Sequence, residues 1–432
     1  MPCIGLPFAE NALSLAKSRV LEVYMQVTRR SFSFGVAALG LSGCVVGGGA
    51  SSRAQAPAVM PMVPDAGFDA WVQAFRPRAL SKGISDATFS TAFRASGFIP
   101  GVIEKDRNQT EFTRTTEDYL AIAASDERLN MGRQVLAQQM GTLRAIEARY
   151  GVEPHVVAAF WGLESFFGTR RGNVPTISAL ATLAYEGRRA TFFEQQLVAA
   201  LKILQNGDTT AQNMQGSWAG AMGHTQFIPT SYQAFAVDFN GDGRRDIWSD
   251  DPTDALASTA AYLSKNGWTH GQLWGQEVTL PSGFNSGLAG RGKGRSDWAD
   301  LGVRAVNGSL GGNGAGSLLL PGGARGPAFL LYQNFNVILR YNNAENYALG
   351  VGYLSDRLNG AGPLRAAFGP DAQGMTLQDR QELQRKLTAA GFDTQGADGV
   401  IGAKTIAAIS DFQRARGLPV TGQPSIELLR ML

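Results

Sequence analysis

The stretch Pro154-His-Val-Val-Ala-Ala-Phe-Trp-Gly-Leu-Glu-Ser-Phe-Phe-Gly168 decides how this chain is read. It reads as a helix. Pro154 suits the first helical position, where no backbone N–H is needed, and Gly168 suits the residue after the end. Glu164 is its only carboxylate. At helical spacing Glu164 shares a face with Phe160, Trp161, Phe167 and Gly168. A carboxyl ringed by aromatic side chains is poorly solvated, so its charged form is disfavoured and its pKa should rise. An acid kept protonated near neutral pH can donate a proton. The plainer reading is a helix-end glutamate that points to water beside an ordinary aromatic core, because buried acids are rare. The rest of the chain bears on that choice.

At 432 residues there is room for two or three domains. A hydrophobic share of 44% and a charged share of 17% are those of an ordinary globular protein. A net charge of +3 without a polybasic run gives no reason to expect a nucleic-acid partner. The 53 glycines follow no fixed period, which excludes collagen and solenoid architectures.

Residues 25–43 read as an export signal. Arg29 and Arg30 form a charged start, and residues 32–41 are an apolar run too short to span a bilayer as a stable helix. Leu41-Ser42-Gly43-Cys44 resembles a bacterial lipobox, in which the cysteine becomes the lipidated first residue. Thr28-Arg29-Arg30-Ser31-Phe32 also resembles a twin-arginine signal. The alternative is a buried N-terminal helix with a chance cysteine, but the charged, apolar and small-residue regions stand in signal order. Residues 1–24 are then an upstream extension, with Met25 as the start. Cys3 falls in that extension, so the mature chain keeps Cys44 alone and forms no internal disulfide. Residues 44–65, rich in Gly, Ala, Ser and Pro, form a flexible tether. Val45 is not acidic, which in lipoproteins resembles sorting to the periplasmic face of the outer membrane.

Folded structure is expected from about residue 66, where Phe68, Trp71, Val72 and Phe75 fall at helical spacing. Helices are expected near 85–95, 113–120 and 130–150, the last ended by Gly151. A small-residue helix over 176–184 and another over 191–204 flank Gly187-Arg188-Arg189. Those arginines suit an anionic or carbonyl-rich ligand, or else plain solvated surface. In Ser217-Trp-Ala-Gly-Ala-Met-Gly223-His-Thr-Gln-Phe-Ile-Pro229, Gly220 and Gly223 allow close backbone approach, and Ser217 and Gln226 offer hydrogen bonds suited to a sugar.

Taken together, Trp161-Gly-Leu-Glu164-Ser-Phe-Phe-Gly168, Gly187-Arg-Arg189 and Ser217…Gln226-Phe-Ile-Pro229 resemble the lytic murein transglycosylase B family. Ala261-Tyr262…Gly267-Trp268, Gly326-Pro-Ala-Phe-Leu330 and Leu339-Arg-Tyr-Asn342…Tyr347 follow in family order. The resemblance implies a lysozyme-like core that cleaves the β-1,4 bond between N-acetylmuramic acid and N-acetylglucosamine. By position, Glu164 matches the catalytic acid/base, and Ser217, Gln226, Tyr262, Tyr341, Asn342 and Tyr347 match groups lining the sugar cleft. Two departures are visible: Ala344 stands where the family commonly has serine, and His224-Thr225 is not the usual pair before Gln226.

Asp238-Phe-Asn240-Gly-Asp242-Gly243-Arg244-Arg-Asp246 places oxygens at alternate positions with glycine at the sixth, as in an EF-hand-type calcium loop. Arg244 would give only its carbonyl. Ser249 replaces the final glutamate, so Asp246 or Asp254 completes the shell, and the ion is structural Ca2+ rather than a signal. An Asp/Asn/Gly surface turn is the alternative. No organic cofactor is expected.

Short strands are expected at 278–280, 317–320 and 328–332, and helix again over 343–358. Residues 368–375 read as a linker. Residues 376–432 resemble the small three-helix peptidoglycan-binding domain, through Leu383, Leu387, Asp398-Gly-Val-Ile-Gly402 and Phe412…Gly417-Leu418. A purely structural appendage is the alternative.

The expected fold class is α+β, predominantly helical: a lysozyme-like catalytic domain over 66–367 with a small β element, then a three-helix domain. The expected partners are peptidoglycan glycan strands and, through Cys44, a membrane. Glycosidases commonly flank the scissile bond with two carboxylates. The matched stretches supply Glu164 alone, which fits the 1,6-anhydromuramic product that the resemblance implies. The rivals are a lysozyme-type hydrolase and a non-catalytic wall-binding scaffold.

Overall fold

The computed structural model describes residues 60–108, 114–312 and 314–432. The expected export signal, Cys44 and most of the expected tether lie outside them.

The helices are α1 (Ala66–Ser81), α2 (Asp86–Phe93), α3 (Pro100–Arg107), α4 (Thr116–Ala123), α5 (Asp126–Tyr150), α6 (Pro154–Ser165), α7 (Thr176–Glu186) and α8 (Ala190–Gln205). There follow α9 (Pro229–Phe235), α10 (Thr253–Lys265), α11 (Arg295–Asp300), α12 (Gln333–Tyr341), α13 (Glu345–Leu358), α14 (Leu377–Ala389), α15 (Ala403–Ala415) and α16 (Ile426–Met431). The strands are β1 (Val174–Pro175), β2 (Gln215–Gly216), β3 (Gly275–Thr279), β4 (Gly292–Lys293), β5 (Arg304–Ala305), β6 (Gly316–Leu319) and β7 (Ala328–Leu331). The α+β, predominantly helical class read from the sequence is what the structure shows.

Helix α6 is the axis of the large core. Residues 156–162 are all buried, so it is wrapped on every side rather than on one stripe. It packs against α5, α10 and α13. Pro154 does sit in its first turn. The Glu153 carboxylate, just before it, accepts from Trp268 Nε1 at 2.8 Å and from the Gly271 amide at 2.6 Å, which pins the start of α6 to the turn after α10. Phe160 is fully buried against Tyr341, with ring centroids 4.8 Å apart. Truncating such a ring to alanine costs about 3–5 kcal/mol.

Helix α5 begins four residues earlier than the sequence suggests, because the Ser125 hydroxyl caps it by accepting from the Arg128 amide. Gly151 ends it in the left-handed region, as expected. The small β element is a five-stranded antiparallel sheet of order β4-β6-β7-β3-β5. It has its own core, in which Trp298 is fully buried and donates to the Gly316 carbonyl at 2.8 Å. The C-terminal helices α14–α16 close around Met375, Leu383, Leu387, Ile409 and Phe412.

Candidate active site

The helix that carries Glu164 stops sooner than its sequence implies. It ends at Ser165, and Phe166, Phe167 and Gly168 all take the left-handed conformation. Phenylalanine pays for that backbone, so tertiary contacts must hold the turn. Phe167 sets its edge on Trp161 at 5.9 Å, and Phe166 lies under the guanidinium groups of Arg170 and Arg128, at 4.4 and 5.2 Å. The Ser165 hydroxyl donates to the His224 carbonyl at 2.5 Å and accepts from the Gly168 amide at 2.9 Å. A side chain at Gly168 would overlap the His224 ring, which is why only glycine fits there.

This turn leaves the Glu164 carboxyl half-buried at the end of the helix. Its aromatic surroundings come mostly from other elements, not from its own face: Phe160 meets Tyr341 and Tyr347, while Trp161 turns away towards His224. The Tyr347 hydroxyl, from the first turn of α13, donates to Glu164 Oε1 at 2.5 Å. Burial pushes the Glu164 pKa up, and the Tyr347 bond partly offsets it, leaving it at about 8. The acid is therefore mostly protonated at neutral pH while keeping an open side.

The other residues singled out in the sequence fall into three groups. Tyr341 and Tyr262 share the aromatic cluster with Glu164's neighbours, their rings 5.0 Å apart. Their hydroxyls donate to backbone carbonyls, Tyr341 to Thr225 at 2.5 Å and Tyr262 to Arg340 at 2.6 Å. Ser217 and Gln226 sit in the turn that faces α6. Ser217 Oγ accepts from the Ala221 amide at 3.0 Å; Gln226, at positive φ, gives its amide nitrogen to the Arg171 and Gly223 carbonyls. Asn342 Oδ1 accepts from the Ala344 amide at 3.2 Å.

Arg188 and Arg189 form a second group. Both pair with Asp106, which is buried, and the Arg188 amide donates to Glu186 at 2.9 Å. These contacts tie the α7–α8 tip to α3 rather than to the Glu164 cluster. The partner lies 82 positions away in sequence for Arg188, which is why the sequence could not show it.

The loop at 238–246 forms the third. Asp238 accepts from the Gly241 and Gly243 amides, Asn240 from Asp242, Asp242 from Arg244, and Asp246 from Trp248 and Ser249. Asp254, buried at the start of α10, braces the loop by accepting from Phe239, Asn240 and Asp246. The side chains are all oxygen donors, of the right chemistry for Ca2+. Yet among the described residues no three His, Cys, Asp or Glu groups are gathered as a metal cluster.

Several site residues escaped the sequence reading. Tyr119 of α4 lies close enough to Glu164 for that carboxylate's charge to raise its pKa, second only to burial. His224, noted only as a departure, accepts from Trp161 Nε1 at 3.1 Å and donates to the Ser249 carbonyl at 2.7 Å. It thus bridges the acid helix and the end of the 238–246 loop. No periodicity or motif marks either contact.

With this geometry established, comparison with known proteins gives the family. Residues 67–356 match the model of the transglycosylase SLT domain, and residues 376–432 that of a peptidoglycan binding domain. The chain belongs to the transglycosylase SLT domain family. It is 36% identical over 209 residues to membrane-bound lytic murein transglycosylase B of Escherichia coli strain K12, a match over 47% of this chain and 56% of that protein. The chain thus spans about half the length of that curated relative. The crystal structure of SltB3 from Pseudomonas aeruginosa in complex with NAG-NAM-pentapeptide is 49% identical, with a TM-score of 0.68, over 84% of this chain and 99% of that one. The Escherichia coli lytic transglycosylase Slt35 in complex with calcium is 27% identical, with a TM-score of 0.57, over 69% and 96%.

Proposed function

We propose that this protein is a lytic transglycosylase that cleaves the β-1,4 bond between N-acetylmuramic acid and N-acetylglucosamine in peptidoglycan and leaves 1,6-anhydromuramic ends. One observation carries the reading: the Glu164 carboxyl is held by the Tyr347 hydroxyl, with its pKa raised to about 8. The protonated Glu164 donates to the glycosidic oxygen as the bond to C1 breaks. The substrate's own C2 acetamido group supports the positive centre, in place of a second carboxylate. Glu164, now ionised, takes the proton of the C6 hydroxyl, whose oxygen bonds to C1. The acid returns to its starting state, and no water is consumed.

A second carboxyl with a raised pKa, Asp356 at about 7, does not compete. It bonds Trp274 Nε1 at 3.1 Å at the seam with the sheet. It stands nine residues beyond Tyr347 on α13, roughly 13 Å along the helix axis. Family membership and the likeness to SltB3, solved with NAG-NAM-pentapeptide, support the substrate class. Ser217, Gln226, Tyr262, Tyr341, Asn342 and Tyr347 line the sugar cleft in this reading, and Arg188, whose side chain is half exposed, can still meet an anionic group. Mass spectrometry of digested cell wall tests the reaction. Anhydro ends are expected; products one water heavier would make the protein a hydrolase instead.

The domain division is part of the same proposal: catalytic 66–367, linker 368–375 and wall-binding 376–432. So is anchoring through Cys44 at the periplasmic face of the outer membrane. It is supported by the order of residues 29–44 and by the relative named as membrane-bound. No described helix is long and apolar enough to cross a membrane. Cys44→Ala is expected to move the protein out of the membrane fraction; unchanged retention there would refute the anchor. Ca2+ in the 238–246 loop completes the proposal. The alternating oxygens and the likeness to Slt35, solved with calcium, support it. Asp238, Asn240, Asp242, the Arg244 carbonyl and Asp246 would hold the ion, with Asp254 behind them.

A further inference from the structure

Helix α4 carries no motif, yet it joins the C-terminal module to the acid. Its first turn presents Glu117 and Asp118 to Arg380 of α14. Arg380 Nη2 donates to Glu117 Oε2 at 2.7 Å and to Asp118 Oδ1 at 3.1 Å. On its other side, Nη1 donates to Asp371 Oδ2 of the 368–375 segment at 2.9 Å and Nε to the Gly399 carbonyl at 2.7 Å. Arg380 is only 4% exposed. A buried guanidinium bonded on both sides of a domain boundary fixes orientation as well as distance, because its donors form a rigid fork.

The opposite side of α4 is a wall of the acid's pocket. The Tyr119 ring lies against Gly350 of α13, where a Cβ would come within 2.6 Å of it. Thr116 Oγ1 donates to Asn346 Oδ1 at 2.8 Å, and Asn346 Nδ2 donates to the Arg114 carbonyl at 3.3 Å. Asn346 is the residue before Tyr347, which holds Glu164. At the other end of α4, buried Arg128 donates to the Ile122 carbonyl and covers the Phe166 ring of the left-handed turn. So α4 touches the segment that carries Tyr347 directly and reaches the left-handed turn through Arg128 of α5.

We propose that Arg380 is a positioning residue for the reaction. By docking the C-terminal module on Glu117 and Asp118, it sets α4, and through α4 it sets Tyr119 and the first turn of α13, so that Tyr347 meets Glu164. The module is then part of the frame of the cleft as well as a grip on the wall. This inference rests on Glu164 being the acid/base.

Arg380→Ala would also break bonds inside the C-terminal module. The discriminating variant is Glu117→Gln/Asp118→Asn in the full chain, which discharges α4 and leaves Arg380 its bonds to Asp371 and Gly399. On short uncrosslinked glycan strands kcat should fall about tenfold or more, since a misplacement of about 1 Å can cost about 10²-fold. KM should stay within about twofold of wild type, and co-sedimentation with insoluble peptidoglycan should be unchanged, because misplacing the acid leaves substrate binding largely intact. Arg380→Lys, which keeps the charge and loses the fork, should fall between the two. Backbone amides at 345–350 should exchange faster with solvent deuterium in the double variant. A kcat within about twofold of wild type, or a loss carried by KM or by wall binding alone, would overturn the proposal. Unchanged exchange at 345–350 would overturn it too, even if the wild type released no anhydro ends, an outcome that would sink the proposed reaction separately.

Discussion

Glu164 and Asp254 are two carboxyls at helix ends, the first half-buried and the second buried, with opposite company. Asp254 accepts from three backbone amides, at 2.8, 2.9 and 3.3 Å. Glu164 accepts from one phenol. Burial is the largest influence on each and raises both, but the three amides restrain Asp254, while Glu164 climbs to about 8. Burial raises both carboxyls, and donors to the charged form oppose it: Asp254 has three where Glu164 has one.

The largest effect expected from testing this contrast is at Glu164. Glu164→Gln keeps the shape and cannot cycle a proton. General acid–base catalysis contributes about 10²–10⁴-fold, and in the proposed reaction one group serves both transfers, so release of anhydro ends should fall by the upper end of that range or more. A tenth of the wild-type rate, roughly, would return Glu164 to the status of a structural residue. The same variant carries a stability signature. The folded state holds the Glu164 proton up to about pH 8, whereas the unfolded chain releases it near 4.5. More protons are bound folded than unfolded across that window, so wild-type stability falls as pH rises through it. Glu164→Gln should therefore melt above wild type at about pH 9 and lose that advantage at about pH 4, as read by calorimetry.

Tyr347→Phe should have the next largest effect. Its hydroxyl lowers the Glu164 pKa, so its loss moves the alkaline limb of the kcat profile to higher pH. Hydrogen bonds to charged groups contribute about 1.5–3 kcal/mol, which corresponds to about 10- to 10²-fold in kcat. A limb that stays in place would show that the phenol does not tune the acid.

The smallest effects belong to the brace. Asp254→Asn exchanges an acceptor for an amide that faces N–H groups, at about 1–3 kcal/mol of stability, with kcat barely changed. If the loop takes Ca2+, added calcium should raise the melting temperature of metal-stripped wild type, and Asp254→Asn should blunt that rise. Identical melts with calcium and with chelator would remove the ion from the account.

Much of this was legible before any coordinates. Helix α6 is readable from Pro154 and its apolar run; Glu164 stands out there as the one carboxylate, but its aromatic neighbours come mostly from other elements, which the spacing does not show. The left-handed turn at 166–168 was not, because nothing in Phe-Phe favours that backbone; it is imposed by Trp161, His224 and two arginines from elsewhere. Tyr347 was reached through family resemblance, since its bond to Glu164 spans 183 positions that no periodicity links. The strands β3, β6 and β7 are visible as short runs set between glycine-rich loops, whereas β4 and β5 are two residues each and leave no pattern. Arg188 and Arg189 are open in the sequence to a ligand or to plain surface, and paired arginines carry no sign of the buried aspartate on another helix that both meet.

The two-residue ladder of β1 with β2 has a consequence for chain length. It pairs Val174 with Gly216 and Pro175 with Gln215, and the Thr176 amide closes on the Met214 carbonyl at 3.0 Å. Everything from 176 to 214 therefore leaves and returns through one gate, with Glu164 on the strand side before it and Ser217 just after. Closing a longer loop costs only about 0.6 kcal/mol for each doubling. Extra residues spliced into the exposed turn at Gly207 would lengthen the excursion and leave the gate where it is. The register between Glu164 and the 217–226 turn is thereby insulated from insertions, which makes this hairpin a place where a reporter peptide can be carried without moving either.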